Sequence, residues 1–350
     1  MRYKIYVNGC IQLISYSLYF IARCGFAQDN SNAIALYNQG NYLKAIDACN
    51  VLIKMYKHDT GAYAYRGLSK ERIKDFAGAR KDFKKLSKWN PKDARLYFKL
   101  GVLCYGTDDY YHSIKEYTKA IKLDSNYAVA YNNRGNSEYM VGDAKTAMLD
   151  FTAASIADTT YPDPLYNRAH LKMVLGDNNA AIKDFSRAIE LAPSDADAWF
   201  SRGQAYDAIS DTMDAVNDYN NVLQIDSLYM DAYYFRGYDL LKLRDYEDAM
   251  NDFSALLTSD SSYYLVYYLR GTALDSLKEY NPAIEDFSHA IQMQVDCGQA
   301  YLGRGYAYLK VGAQENACED FNMAYYYGLR GEAKELLDEN CRGHVKVYWK

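Results

Sequence analysis

A period of 34 residues constrains this chain more than any other feature. Stepping by that interval from Gly135 lands on Ala33, Gly67, Gly101, Ala169, Gly203, Gly237, Gly271 and Gly305, with no insertion or deletion. A second small residue follows each of these by twelve: Ala45, Ala79, Ser113, Ala147, Ala181, Ala215, Ala249, Ala283 and Ala317. Four residues later comes an aromatic, at Phe83, Tyr117, Phe151, Phe185, Tyr219, Phe253, Phe287 and Phe321, with Cys49 in the first copy. Another aromatic precedes the glycine by four, at Tyr63, Tyr97, Tyr131, Trp199, Tyr233, Tyr267 and Tyr301, with Leu165 as the exception. Spacings of three and four put these residues on one face of a helix, so each copy holds two amphipathic helices. Small residues let the two backbones approach, and the aromatics fill the space beside them. A chain built this way grows by stacking and needs no single central core.

These copies resemble the tetratricopeptide repeat family over residues 28–331, as nine repeats of 34. The family's late proline appears only at Pro91 and Pro193; Ser125, Ser227 and Ser261 stand there elsewhere. The resemblance implies an all-α fold: a right-handed superhelix, or α-solenoid, with a concave groove lined mainly by the first helix of each repeat. It also implies a non-catalytic scaffold that binds a protein or peptide segment.

An arginine precedes the phase residue at Arg66, Arg134, Arg168, Arg202, Arg236, Arg270 and Arg304. An acid precedes the second-helix aromatic at Asp82, Glu116, Asp150, Asp184, Asp218, Asp252, Asp286 and Asp320. Two readings compete: a ladder of ligand-binding charges, or a pair that ties helix to helix. So regular a recurrence favours the tie, with Leu100 opposite Glu116 as the copy where it fails.

In the resembled family, the residues just after the first-helix aromatic and just after the glycine point into the groove. Here those phases hold Phe98, Asn132, Tyr166, Phe200, Tyr234 and Tyr268, then Asn136, His170, Gln204, Tyr238 and Tyr306, with Asn133 beside them. Tyrosine supplies contact area at little entropic cost, and asparagine supplies donors and acceptors for a peptide backbone. The expectation is an extended partner segment along this strip; the alternative is that the rings pack on neighbouring repeats. Asn132 and His170 have no matching lysine constellation, which argues against the family's subtype that clamps a C-terminal carboxylate. A carbohydrate-binding protein with exposed tyrosine faces and an architectural self-assembling spacer are the other readings.

Residues 1–27 lie outside the period. Arg2 and Lys4 open them, Ile11–Ala22 is largely apolar, and Gly25-Phe26-Ala27 offers small residues where a signal peptidase reads. This resembles a secretory signal peptide cleaved after Ala27. An exported chain is therefore expected, periplasmic, surface-bound or secreted, with membrane contact only if the segment is retained.

Five cysteines follow it, with no CxxC pair and no zinc spacing. Cys318 lies in the last second helix and Cys341 ends an amphipathic capping helix over 332–341, so a hairpin would bring them to matching heights. A disulfide and two free thiols both remain open. The tail, residues 342–350, has no periodicity.

A formal net charge of −5 without a basic run argues against nucleic acid as a partner. There is no Walker loop, GxGxxG, GxSxG or HExxH, and the five histidines are scattered over different phases. No enzyme, metal or cofactor is expected.

Overall fold

The computed structural model describes residues 30–341. The signal-peptide expectation for residues 1–27 and the tail over 342–350 fall outside them. The described residues form nineteen α-helices and no strand. In chain order they are α1 (Ser31–Asn38), α2 (Tyr42–Met55), α3 (Thr60–Arg72), α4 (Phe76–Trp89), α5 (Ala94–Tyr105), α6 (Tyr110–Leu123), α7 (Ala128–Met140), α8 (Ala144–Ala157), α9 (Asp163–Val174) and α10 (Asn178–Leu191). These make up a first compact unit, which ends at Pro193. A second unit begins at Ser194. It contains α11 (Ala196–Ala208), α12 (Thr212–Ile225), α13 (Met230–Leu243), α14 (Tyr246–Ser259), α15 (Tyr264–Ser276), α16 (Tyr280–Met293), α17 (Gly298–Lys310), α18 (Gln314–Tyr326) and α19 (Arg330–Asn340).

Odd and even helices pair as hairpins, and within each unit every hairpin packs on the next. The repeating glycine meets the repeating aromatic inside the hairpin. A Cβ on Gly101 would lie 2.5 Å from the Tyr117 ring, and one on Gly135 would lie 2.8 Å from Phe151. Tyr117, Phe151, Phe185, Tyr219, Phe253, Phe287 and Phe321 are correspondingly buried. The glycine's missing side chain is thus what lets the second helix approach closely enough to bury its ring.

The turn between the two helices has its own phase. Gly40, Lys74, Asp108, Gly142, Gly176, Ser210, Arg244, Lys278 and Gly312 all have positive φ, at the same place in successive copies. A left-handed residue closes a helix and redirects the chain, and glycine does this without a Cβ clash. Five copies do so with a side chain in place.

The arginine–acid ladder is a helix tie. Arg134 Nε and Nη2 donate to the two oxygens of Asp150 at 2.6 and 2.7 Å, and Arg168 does the same to Asp184 at 2.7 Å for both. Arg66, Arg202, Arg236, Arg270 and Arg304 repeat the fork on Asp82, Asp218, Asp252, Asp286 and Asp320. The third nitrogen, Nη1, reaches back to the preceding hairpin: Arg66 to Asn50, Arg134 to Thr118, Arg168 to Thr152, Arg236 to Asn220, Arg270 to Ser254 and Arg304 to Ser288. One guanidinium therefore fixes both the hairpin and its stacking on the one before. Where Leu100 replaces the arginine, Glu116 turns to Lys119 at 2.9 Å.

At the C-terminal end α19 lies on α18, with Ala333 and Leu336 buried. Cys318 and Cys341 are disulfide-bonded, fastening the end of this helix to α18.

Candidate functional site

The residues expected to line a groove divide by burial. In the first unit Phe98, Asn132, Asn133, Asn136 and Tyr166 are buried and His170 is half-buried. In the second unit Phe200 is buried, Gln204, Tyr234, Tyr268 and Tyr306 are half-buried, and Tyr238 is exposed. The expectation that all of them face an open groove is corrected for the buried ones.

The cause is the residue just ahead of the next first helix. It is Asp59, Asp93 or Asp195 in some copies, and those carboxylates accept the backbone N–H of Ala62, Arg95 and Asp197 as helix caps. At Tyr127 and Tyr229 it is tyrosine, whose ring reaches back over the preceding hairpin, whereas Tyr263 at the same phase is exposed. Tyr127 lies 5.1 Å from Phe98, and Tyr229 lies 5.0 Å from Phe200. Tyr161 Oη accepts from Asn132 Nδ2 at 3.2 Å, while Asn132 Oδ1 accepts from Asn167 at 3.0 Å. Asn132 is thereby saturated inside the stack. Tyr166 is covered from its own hairpin, edge-on to His170 and Phe185.

Two accessible features remain, one in each unit. In the second unit Tyr234 and Tyr238 on α13, Tyr268 on α15 and Tyr306 on α17 come from three successive first helices. Lys242 Nζ sits 4.5 Å from the Tyr238 ring centre, a cation–π contact on one of its faces. Tyr306 Oη donates to Glu332 at 3.3 Å. Burial pushes the Tyr234, Tyr268 and Tyr306 hydroxyls up from their ordinary range, so they stay protonated donors.

In the first unit a cavity of about 120 Å³ opens between α3, α5 and α7. Phe76, Val102, Tyr105 and Tyr117 form apolar walls, and Glu71, Asn133 and Asn136 supply polar groups. Val102 and Asn136 stand at the phase just after the glycine. Gly106 is at the rim, where the same phase in other copies carries Arg72, Met140, Val174, Lys242 or Lys310, and shorter side chains at Asn38, Ala208 and Ser276. Glu71 Oε2 pairs with Lys99 Nζ at 2.6 Å, and Lys99 is only 4% exposed. Glu71, Phe76, Tyr105 and Gly106 were not singled out by the sequence; the one glycine at a phase that otherwise carries a side chain is the signal that could have found them.

Among the described residues no group of three or more His, Cys, Asp or Glu is placed to hold a metal ion. No helix among them is long and apolar enough to cross a membrane.

Family models described as tetratricopeptide repeat match residues 94–127 and 234–290, and one described as TPR repeat matches residues 169–209. No curated protein matches the sequence. Among solved structures, the chain is similar to the C-terminal part of a TPR repeat-containing protein from Cytophaga hutchinsonii. The two are 19% identical, with 71% of this chain and 99% of that one covered and a TM-score of 0.58, a likeness of fold alone. A tetratricopeptide repeat protein from Parabacteroides merdae is 20% identical over 70% of this chain and 98% of that one, with a TM-score of 0.47. YrrB, described as a TPR protein with an unusual peptide-binding site, is 22% identical over 62% and 95%, with a TM-score of 0.41. The matched repeats and the stacked hairpins agree: the chain has a tetratricopeptide-repeat fold, with such repeats recognised over residues 94–127, 169–209 and 234–290.

Proposed function

We propose that the chain is an exported, non-catalytic scaffold that holds an extended segment of a partner protein against its first helices. The observation that carries this reading is the set of accessible tyrosines, Tyr234, Tyr238, Tyr268 and Tyr306, on rigid neighbouring helices of the second unit. Preformed aromatic and hydroxyl groups bind without first being ordered, which lowers the cost of association. The lysine already on one face of Tyr238 supports a peptide over a sugar ring as the stacking partner. A secretory leader over residues 1–27 and a disulfide at the C-terminal end both suit an oxidising compartment.

The test is cross-linking capture from the native host with wild type and with Tyr238→Ala and Tyr234→Ala. A partner retained by wild type and lost with the variants, at unchanged helical content and melting temperature, supports the reading. Retention of a polysaccharide with no protein present, or variants that lose only their fold, overturns it. Sequencing the N-terminus of the mature protein tests export, with Gln28 as the expected first residue.

A further inference from the structure

The cavity between α3, α5 and α7 contains a donor that the described residues leave unused. Asn136 is 2% exposed, and its Nδ2 has no hydrogen-bond partner among the described residues. A buried N–H left unpaired is costly, so a buried amide that lines a cavity is a demand for an acceptor. Asn132, one turn earlier on the same helix, has both its donor and its acceptor taken up by Tyr161 and Asn167. The open valence belongs to Asn136 alone of the two.

We propose that this cavity receives a carboxamide side chain, glutamine or asparagine, from the partner segment; the proposal rests on the peptide-scaffold reading above. Its carbonyl oxygen accepts from Asn136 Nδ2. Its NH2 group donates to Glu71, which commits one oxygen to Lys99 and has another left to accept. The methylenes contact Phe76, Val102 and Tyr105. Charge selects the same class: the Glu71–Lys99 pair is internally neutralised, so a carboxylate would be desolvated beside Glu71 and an ammonium beside Lys99. A plain hydrocarbon would leave Asn136 unsatisfied, a penalty that sites built around buried hydrogen bonds use to reject such analogues.

Gly106 keeps the mouth clear. Its φ of −66° needs no glycine, and a Cβ there would meet Val102 O at 3.5 Å and the Phe76 ring at 3.6 Å, both ordinary contacts. The missing side chain therefore serves the opening and not the backbone.

Butyramide, the side chain of glutamine with a methyl group in place of its Cα, is the probe. Saturation-transfer NMR on the full chain should show it bound, with butyrate and 2-pentanone each about tenfold weaker, since both keep the acceptor for Asn136 and lack the N–H donor for Glu71. Gly106→Met, which brings in the residue found at this phase one copy later, should abolish the signal. Asn136→Leu should do the same by filling the cavity, without lowering the melting temperature. Butyramide binding no better than butyrate, or undiminished in both variants, overturns the proposal. Partner capture through Tyr238 without butyramide binding sinks this inference and spares the scaffold reading. Butyramide binding without any partner does the reverse.

Discussion

Arg134 grips both oxygens of Asp150 from one helix to the next and spends its remaining nitrogen on Thr118 in the hairpin before. Asp150 is only 3% exposed, so the fork compensates a carboxylate that has been taken out of water. Arg134→Leu should cost about 3–5 kcal/mol in urea unfolding, because it strands that buried charge. The double variant Arg134→Leu/Asp150→Leu should recover most of the loss, as the copy with Leu100 manages without an arginine. A single variant as stable as wild type would show that Asp150 tolerates isolation.

A second buried acid site predicts a pH dependence of the opposite kind to an ordinary ion pair. Tyr219 Oη donates to Asp207 Oδ2 at 2.6 Å, and Lys242 donates to Asp239 Oδ1 at 2.7 Å. Asp207 Oδ1 and Asp239 Oδ2 are buried with no hydrogen-bond partner among the described residues. Burial, then Asp207, pushes Asp239 up to about 7, with Lys242 opposing. In the first unit burial and Asp150 push Glu138 up to about 8, against Arg134. Folding thus takes up protons that the unfolded chain has already lost. Stability should be full below about pH 4 as far as these groups go, and should fall as pH rises toward 7 and 8, by at most about 1.4 kcal/mol per unit for each. Urea midpoints at pH 5 and 8 check this, and Asp239→Asn should flatten the part due to that pair.

The left-handed turn phase offers a gain in stability. Lys74, Ser210, Arg244 and Lys278 hold φ between 64° and 66° with a side chain in place. Lys74→Gly and Lys278→Gly should each raise unfolding free energy by about 0.5–1 kcal/mol, the relief of the left-handed cost less the added freedom of the unfolded chain. Gly142→Ala should lose a similar amount, since φ there is 88°. Chemical denaturation of the three variants measures both signs together.

Reducing Cys318–Cys341 should loosen the end of the second unit. The bond closes a loop with a sequence separation of 23, so the chain entropy it removes from the unfolded state is worth about 3 kcal/mol. Hydrogen exchange in α19 should accelerate on adding dithiothreitol, and Cys341→Ser should reproduce the change.

The fold was legible because its signal is repeated. A glycine sixteen residues before an aromatic means little once, but in seven copies it specifies a contact between two helices. The arginine–acid tie was legible for the same reason. The cover over Phe98, Asn132 and Phe200 was not, because it comes from Tyr127, Tyr161 and Tyr229, at a place where other copies carry a capping aspartate. Reading each first helix by its own phases misses a ring arriving from the next hairpin. The cavity was missed too, since an opening made by the side chain Gly106 lacks shows only when copies are compared. Cys318 and Cys341 could be placed at matching heights, but bonding or freedom was left to the structure, which bonds them.

The guanidinium that binds its own hairpin and the previous one has a bearing on how such a chain lengthens. Most copies arrive with an acid for their own arginine and, one residue past the aromatic, an oxygen for their successor's. A duplicated or deleted copy therefore leaves both flanking cations satisfied, provided the new neighbour carries serine, threonine or asparagine there. Lys84 occupies that place ahead of Leu100, so a cut joining Lys84 to an arginine-bearing copy would set two like charges against each other. That seam is where whole-copy recombination should fail.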